Sequence, residues 1–210
     1  EEHETGIAND WPRIPLPDNV AVLQASAALG TQIANLLDTE KPLLHITAGT
    51  IRDDMRLLGV RKGNNRSVTV NWGSEDSRGA VMPGRGDARE RSYTDEELEA
   101  IERGVAALNI ELDTALTLLG DTTYDLYLND DTYWANVPAN VYGYTIGGYQ
   151  VIKKWLSYRN FNVLGRALIG DEVLEVTHMV RRIAALILLE PQLNNNYRTV
   201  KDAVYNWSQA

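Results

Sequence analysis

There is no cysteine among these 210 residues. Disulfides, thiolate metal sites and cysteine nucleophiles are therefore excluded. Histidine is scarce as well. His3, His45 and His178 lie far apart, and none has a ligand at metal spacing. His178 falls one turn from Glu175 and Arg182 on the polar side of a predicted helix, where a surface salt-bridge neighbour is expected rather than a catalytic base. The chain has no G-x-S-x-G, no H-E-x-x-H and no Walker loop. Gly84-Arg85-Gly86 lacks the G-K-[S/T] ending of a phosphate loop, and Asp130-Asp131 reads as a turn before it reads as a cation site. No unbroken apolar run approaches the ~20 residues that span a bilayer. The longest, Ile183 to Leu189, is short and follows Arg181-Arg182. The amino end has neither a basic n-region nor an apolar h-region. No membrane association is expected, and the absence of an initiating Met is read as the start of a piece of a longer protein.

The remaining composition is that of an ordinary globular chain, with 44% apolar and 23% charged residues. Its length suffices for one large domain or two small ones. A net charge of −9 disfavours indiscriminate nucleic-acid binding, since phosphate attracts cationic surfaces. The charge is uneven, however. From Arg56 to Arg91 there are eight basic residues (Arg56, Arg61, Lys62, Arg66, Arg78, Arg85, Arg89, Arg91) against four acids, a local +4 on a body of −13. Such an island suits an anionic partner. A solvated loop with scattered arginines would look the same.

Patterning gives the element order. Three prolines in residues 11–17 hold that segment extended. Asp18 or Asn19 can cap a helix to about Leu37, with Val22, Ala25, Leu29, Ile33 and Leu36 on one face. Residues 41–65 carry no clear period. Val68, Val70 and Trp72 alternate over 67–72 as in a strand. Residues 73–93, with four glycines and a proline, read as a long loop or irregular hairpin. Thr94 and Glu97 have capping-box spacing for a helix to about Leu108, and a second helix should run from Glu111 to Leu119 and stop at Gly120. Residues 123–128 alternate as a strand, followed by a turn at 129–131. Helices are predicted over Gln150–Arg159 and Asp171–Leu189, with Pro191 in the first turn of a separate last helix. The fold class is α+β, mostly helical with a small sheet and a helical C-terminal third.

One stretch, YTIGGYQVIKKWLSYRN at 144–160, concentrates binding chemistry. Gly147-Gly148 permits backbone angles other residues avoid and allows another backbone to come close. Tyr142, Tyr144, Tyr149, Trp155 and Tyr158 surround it. The helix that follows puts Val151, Ile152, Trp155 and Leu156 on one side and Lys153, Lys154 and Ser157 on the other. Rings beside Lys153, Lys154 and Arg159 can stack on bases while the cations contact phosphates. A tight turn over a buried Trp, with solvated lysines, fits the same residues.

DWPRIPLP at 10–17, VMPGRG at 81–86, YLNDDTYWANVPANVYGYTIGGYQVIKKWLSYR at 127–159 and VTHMVRRIAALILLEPQLNNNYRTVK at 176–201 follow one another in this order. With that order and spacing, the chain resembles the carboxy-terminal specificity region of type ISP restriction–modification enzymes and of related adenine-N6 DNA methyltransferases. The block around Gly147-Gly148 is the specific part of the resemblance. Relatives of this kind typically join nuclease, ATP-driven translocase, adenine methyltransferase and target recognition domain, in that order. The chain has no Asn-Pro-Pro-aromatic tetrad, no S-adenosylmethionine glycine loop and no helicase motif.

The resemblance therefore implies a single DNA target recognition domain over 1–210, divisible into 1–120 and 121–210, without a catalytic site. It would work in cis with an adenine-N6 methyltransferase in a cytoplasmic bacterial or archaeal phage-defence system. The implied partners are double-stranded DNA and the methyltransferase domain of the same polypeptide. The implied cofactors are none in this chain, with S-adenosylmethionine, ATP and Mg belonging to the parent protein. Candidate DNA contacts are Arg61, Lys62, Arg66, Arg78, Arg85, Arg89, Arg91, Tyr149, Lys153 and Lys154. The alternative is a docking module that holds the methyltransferase domain and meets DNA only incidentally.

Overall fold

The computed structural model describes residues 16–62, 87–127, 132–159, 161–166 and 168–202. The expectations for the proline segment before Leu16, the strand at 67–72, Gly84-Arg85-Gly86, Asp130-Asp131 and His3 lie outside them. The first part of the chain contains α1 (Val20–Leu37), α2 (Asp53–Leu57), β1 (Gly59–Lys62) and β2 (Asp87–Ser92). Next come α3 (Asp95–Ala106), α4 (Leu112–Leu119), β3 (Thr122–Tyr127) and β4 (Thr132–Pro138). The last part contains α5 (Ala139–Tyr142), β5 (Thr145–Ile146), β6 (Tyr149–Gln150), α6 (Val151–Ser157), α7 (Phe161–Leu164) and α8 (Gly170–Lys201). The class is α+β and mostly helical, as the sequence predicts. By internal packing the chain divides into two compact units. One combines the chain up to Asn35 with the chain from Leu189, and the other runs from Leu36 to Leu188.

In the first unit, Asn19 caps α1. Its Oδ1 accepts from the Val22 N–H at 3.0 Å, satisfying one of the donors a helix start leaves open. The predicted stripe is half-buried at Val22, Leu29 and Ile33, and Ala25 is exposed. Val20, Leu23 and Leu37 are exposed too. By length and composition alone α1 is apolar enough to cross a membrane. Gln24, Ser26, Thr31, Gln32 and Asn35 interrupt it, so it contains no long unbroken apolar run. Ser26 donates to Asn196 of α8 at 3.2 Å, an interhelical hydrogen bond inside this unit.

Pro191 does not start a new helix. The structure keeps one helix through it, from Gly170 to Lys201. A proline in a helix interior removes one i→i−4 bond. Burial of Leu188 and Leu189 before it and of Val200 after it offsets that loss.

The second unit is built on a four-stranded antiparallel sheet of order β1-β4-β3-β2. Leu126, Trp134 and Val137 of the central pair have no exposed surface, and neither do Val105 of α3, Val141 of α5, or Ile152 and Leu156 of α6. α3 starts with the predicted capping box between Thr94 and Glu97, and α4 stops at Gly120. α2 lies directly on α3. A Cβ at Gly104 would stand 2.6 Å from the Asp54 backbone nitrogen, while the buried Asp54 carboxylate takes two bonds from Arg52 at 3.0 and 2.8 Å.

Three further expectations differ from the structure. The end of the segment expected as a long loop or irregular hairpin is strand β2, paired with β3 from Asp87↔Tyr127 to Ser92↔Thr122. Its sequence DARERS has a single apolar residue, so no period-2 signal exists to be read. Ser157 does not face solvent. It is fully buried, and its hydroxyl donates to the Lys154 carbonyl at 2.8 Å. His178 is half-buried rather than a surface salt-bridge neighbour. Burial first, then the charges of Arg181 and Arg182, push its pKa below the ordinary value.

Candidate nucleic-acid interface

The glycine pair is a hairpin tip. Thr145 pairs with Gln150 and Ile146 with Tyr149, so the connection is two residues long. Gly147 and Gly148 both have positive φ, 57° and 81°. Two-residue hairpins demand such angles because they match the right-handed twist of the flanking strands, and glycine adopts them without strain. A Cβ built on either glycine meets nothing within 4 Å. The requirement for glycine is therefore conformational, and the space beside the tip is open. Ile146 and Tyr149 on either side are 57% and 53% exposed, unusual for large apolar and aromatic residues in a turn.

α6 follows β6 without a break, and its first residue is tied back to the hairpin by the Val151 N–H donating to the Tyr144 carbonyl at 3.1 Å. Ile152 and Leu156 anchor it in the core. Trp155, expected on the apolar side with them, is only half-buried, and its ring and that of Tyr149 each take a cation. Lys154 Nζ lies 4.0 Å from the Tyr149 ring centroid, and the Arg159 guanidinium 4.2 Å from the Trp155 ring. Each such pair at an exposed site is worth roughly 0.5–1 kcal/mol. Trp155 is also fixed at its edge, where Nε1–H donates to Glu175 Oε1 of α8 at 2.9 Å. Arg159 comes within 3.9 Å of the same carboxylate. Lys153 is half-buried and Lys154 exposed. This ribbon of rings and cations, running from Tyr149 to Arg159, can stack on bases and hold phosphates.

The basic island is not one patch among the described residues. Arg61 and Lys62 lie on β1, and Arg89 and Arg91 on β2, at opposite edges of the sheet. Three strand spacings, roughly 14 Å, separate those backbones. Arg66, Arg78 and Arg85 lie outside the described residues. Arg91 is tied up internally. Its Nε donates to Asp125 at 2.8 Å, its Nη1 and Nη2 to Glu97 at 2.8 and 2.9 Å, and its Nη2 also to Asn136 at 2.6 Å. Asn136 is buried with φ of 57°, and its own N–H donates to Asp125 at 3.1 Å. The Glu97 hydrogen bond, acting against desolvation, holds the Arg91 guanidinium above its ordinary pKa. Burial pushes Glu97 up, but the hydrogen bonds from Arg91 and from the Thr94 backbone outweigh it, and the carboxyl settles below its ordinary value.

Sequence patterning left Glu175 out of the binding stretch. It lies on another helix, and only packing brings it to Trp155. Among the described residues, no group of three or more His, Asp or Glu is placed to hold a metal ion.

A family model described as the type ISP C-terminal specificity domain matches residues 2–183. No curated protein and no solved structure matches the chain.

Proposed function

The chain belongs to the type ISP C-terminal specificity domain family, and from that premise we propose that it recognises duplex DNA for a methyltransferase joined to it in the same polypeptide. The methyltransferase is taken to be adenine-N6-specific. S-adenosylmethionine, and ATP with Mg where a translocase is present, would then be bound by the parent protein's other modules. The observation that carries the DNA reading is the ribbon of exposed Tyr149 and Lys154 with half-buried Trp155 and Arg159, beside an open two-glycine tip.

Lys153 and Lys154, with Tyr149, are assigned to holding the phosphate backbone. Arg61 and Lys62 on one sheet edge and Arg89 on the other are proposed as separate, weaker contacts, together with Arg66, Arg78 and Arg85. Arg91 is proposed instead as a positioning residue, because Glu97, Asp125 and Asn136 already take its donors.

The test is binding of the Lys153→Ala/Lys154→Ala variant to a panel of duplexes at several salt concentrations. Phosphate holding predicts weaker binding to every duplex in an unchanged order, since such contacts carry no sequence information. The log–log salt slope should flatten by about 0.9 for each phosphate that the variant no longer neutralises. A changed order would make α6 a base reader. Unchanged DNA binding with looser association to the methyltransferase domain would favour the docking alternative.

A further inference from the structure

The β5–β6 hairpin has an inner side as well as an outer one. Tyr144, Ile146 and Val151 line a cavity of about 280 Å³ together with Glu175, His178, Met179 and Arg182 of α8, and the end of α1 with Thr39 closes it. The Arg182 guanidinium is engaged by the Leu36 and Lys41 carbonyls. That volume falls just under the ~300 Å³ at which pockets for drug-sized ligands begin, so it suits a single ring system. We infer that this cavity takes one unstacked nucleobase bearing an exocyclic amine, with Glu175 and His178 reading its polar edge.

The walls are apolar or aromatic at Tyr144, Ile146, Val151 and Met179, as a flat ring requires. The polar groups then select the occupant. Glu175 Oε1 accepts from Trp155, and a carboxylate has capacity for further donors. Amino groups of adenine, cytosine and guanine can supply them. Thymine sets two carbonyl oxygens around its single N3–H and suits a carboxylate less well. Burial and the neighbouring guanidiniums disfavour the protonated form of His178, so its neutral ring brings one donor and one acceptor. An apolar side chain from another protein would cover both groups and satisfy neither, at a penalty. The cavity also adjoins the ribbon proposed to meet DNA: Ile146 pairs with Tyr149 across the hairpin, and Glu175 holds Trp155. The inference rests on the DNA reading, which places a source of bases at the cavity mouth.

The chain has three methionines. Met179 lines the cavity and Met55 is buried in the core, so ¹³C-methyl-methionine NMR of the 210-residue chain reports the site and its own control. Deoxyadenosine, deoxycytidine, thymidine and p-cresol are titrated in turn. A saturable ring-current shift of Met179 is expected, with Met55 unmoved. The amine-bearing nucleosides should bind at least about fivefold more tightly than thymidine, and Glu175→Gln should bring that ratio to within about twofold. An unmoved Met55 signal in the variant shows that its core is intact. No saturable Met179 shift with any nucleoside would overturn the inference. So would equal responses to p-cresol, thymidine and deoxycytidine, which would make the cavity an anchor site for an apolar side chain. Duplex binding is measured separately by fluorescence anisotropy. Duplex binding without a nucleoside response sinks this inference alone. A nucleoside response without duplex binding supports it and sinks the DNA reading.

Discussion

Arg91 and Lys154 look alike in the sequence, each a cation a few residues from aromatic rings. Their surroundings set them apart. Arg91 sits where β2, α3, β3 and β4 meet, and its donors go to Glu97, Asp125 and Asn136. Lys154 sits on an exposed face over Tyr149, and its charge stays open to solvent or to a ligand. The first arrangement joins elements and the second offers chemistry to a partner. What separates them is whether polar groups from other elements, such as Asp125 and Asn136, converge on the cation.

Removing each cation in turn and measuring stability by denaturant unfolding puts this difference to its hardest test. Arg91→Ala strips the partner from two part-buried carboxylates and a buried Asn. It is expected to destabilise the protein by about 2–3 kcal/mol. Lys154→Ala, which removes only the exposed pair with Tyr149, should stay within about 1 kcal/mol of wild type while weakening DNA binding. Equal losses at the two positions would erase the distinction.

A smaller effect is expected at the hairpin. Gly147→Ala and Gly148→Ala each force a Cβ into a left-handed conformation, at a cost of about 1–2 kcal/mol. No atom lies within 4 Å to clash with it. Thermal melts of the whole chain should move little, since the strain is confined to a two-stranded hairpin. DNA affinity should fall more than stability does. A core-wide loss of stability would show that the tip is packed rather than presented.

The smallest effect concerns pH. The Glu97 carboxyl titrates below its unfolded value in the fold, so the unfolded chain binds the proton first. Its stabilisation is fully present above about pH 4.5 and is lost as pH falls through the lower folded value. Partial solvent exposure keeps the amount small. The neutral preference of His178 has the same sign at a higher window: its stabilisation is present above its unfolded value near 6.5 and is lost as pH falls. Acid unfolding curves of wild type and Arg91→Ala should differ in the Glu97 window and coincide in the His178 window.

Local signals carried much of the fold. The Asn19 cap, the Thr94–Glu97 capping box, the stop at Gly120 and the alternation of β3 are written in neighbouring residues, and the structure has each of them. Gly147-Gly148 likewise announced a tight reversal. β2 was not legible, because DARERS is held by its ladder to β3 and by charges, neither of which leaves an apolar period. The passage of α8 through Pro191 was equally hidden, since a proline's local penalty is visible and the burial that outweighs it is not.

The helix starts at Asn19 and Thr94, the stop at Gly120, the family, and the concentration of rings and cations between Tyr149 and Arg159 follow from the sequence alone. They depend on residues within a few positions of one another, where backbone conformation and short-range hydrogen bonding decide. The inward turn of Arg91, the reach of Glu175 to Trp155 and the cavity behind the hairpin come from tertiary packing. Each depends on side chains brought together from 20 or more positions apart, and convergence of that kind leaves no trace in local pattern.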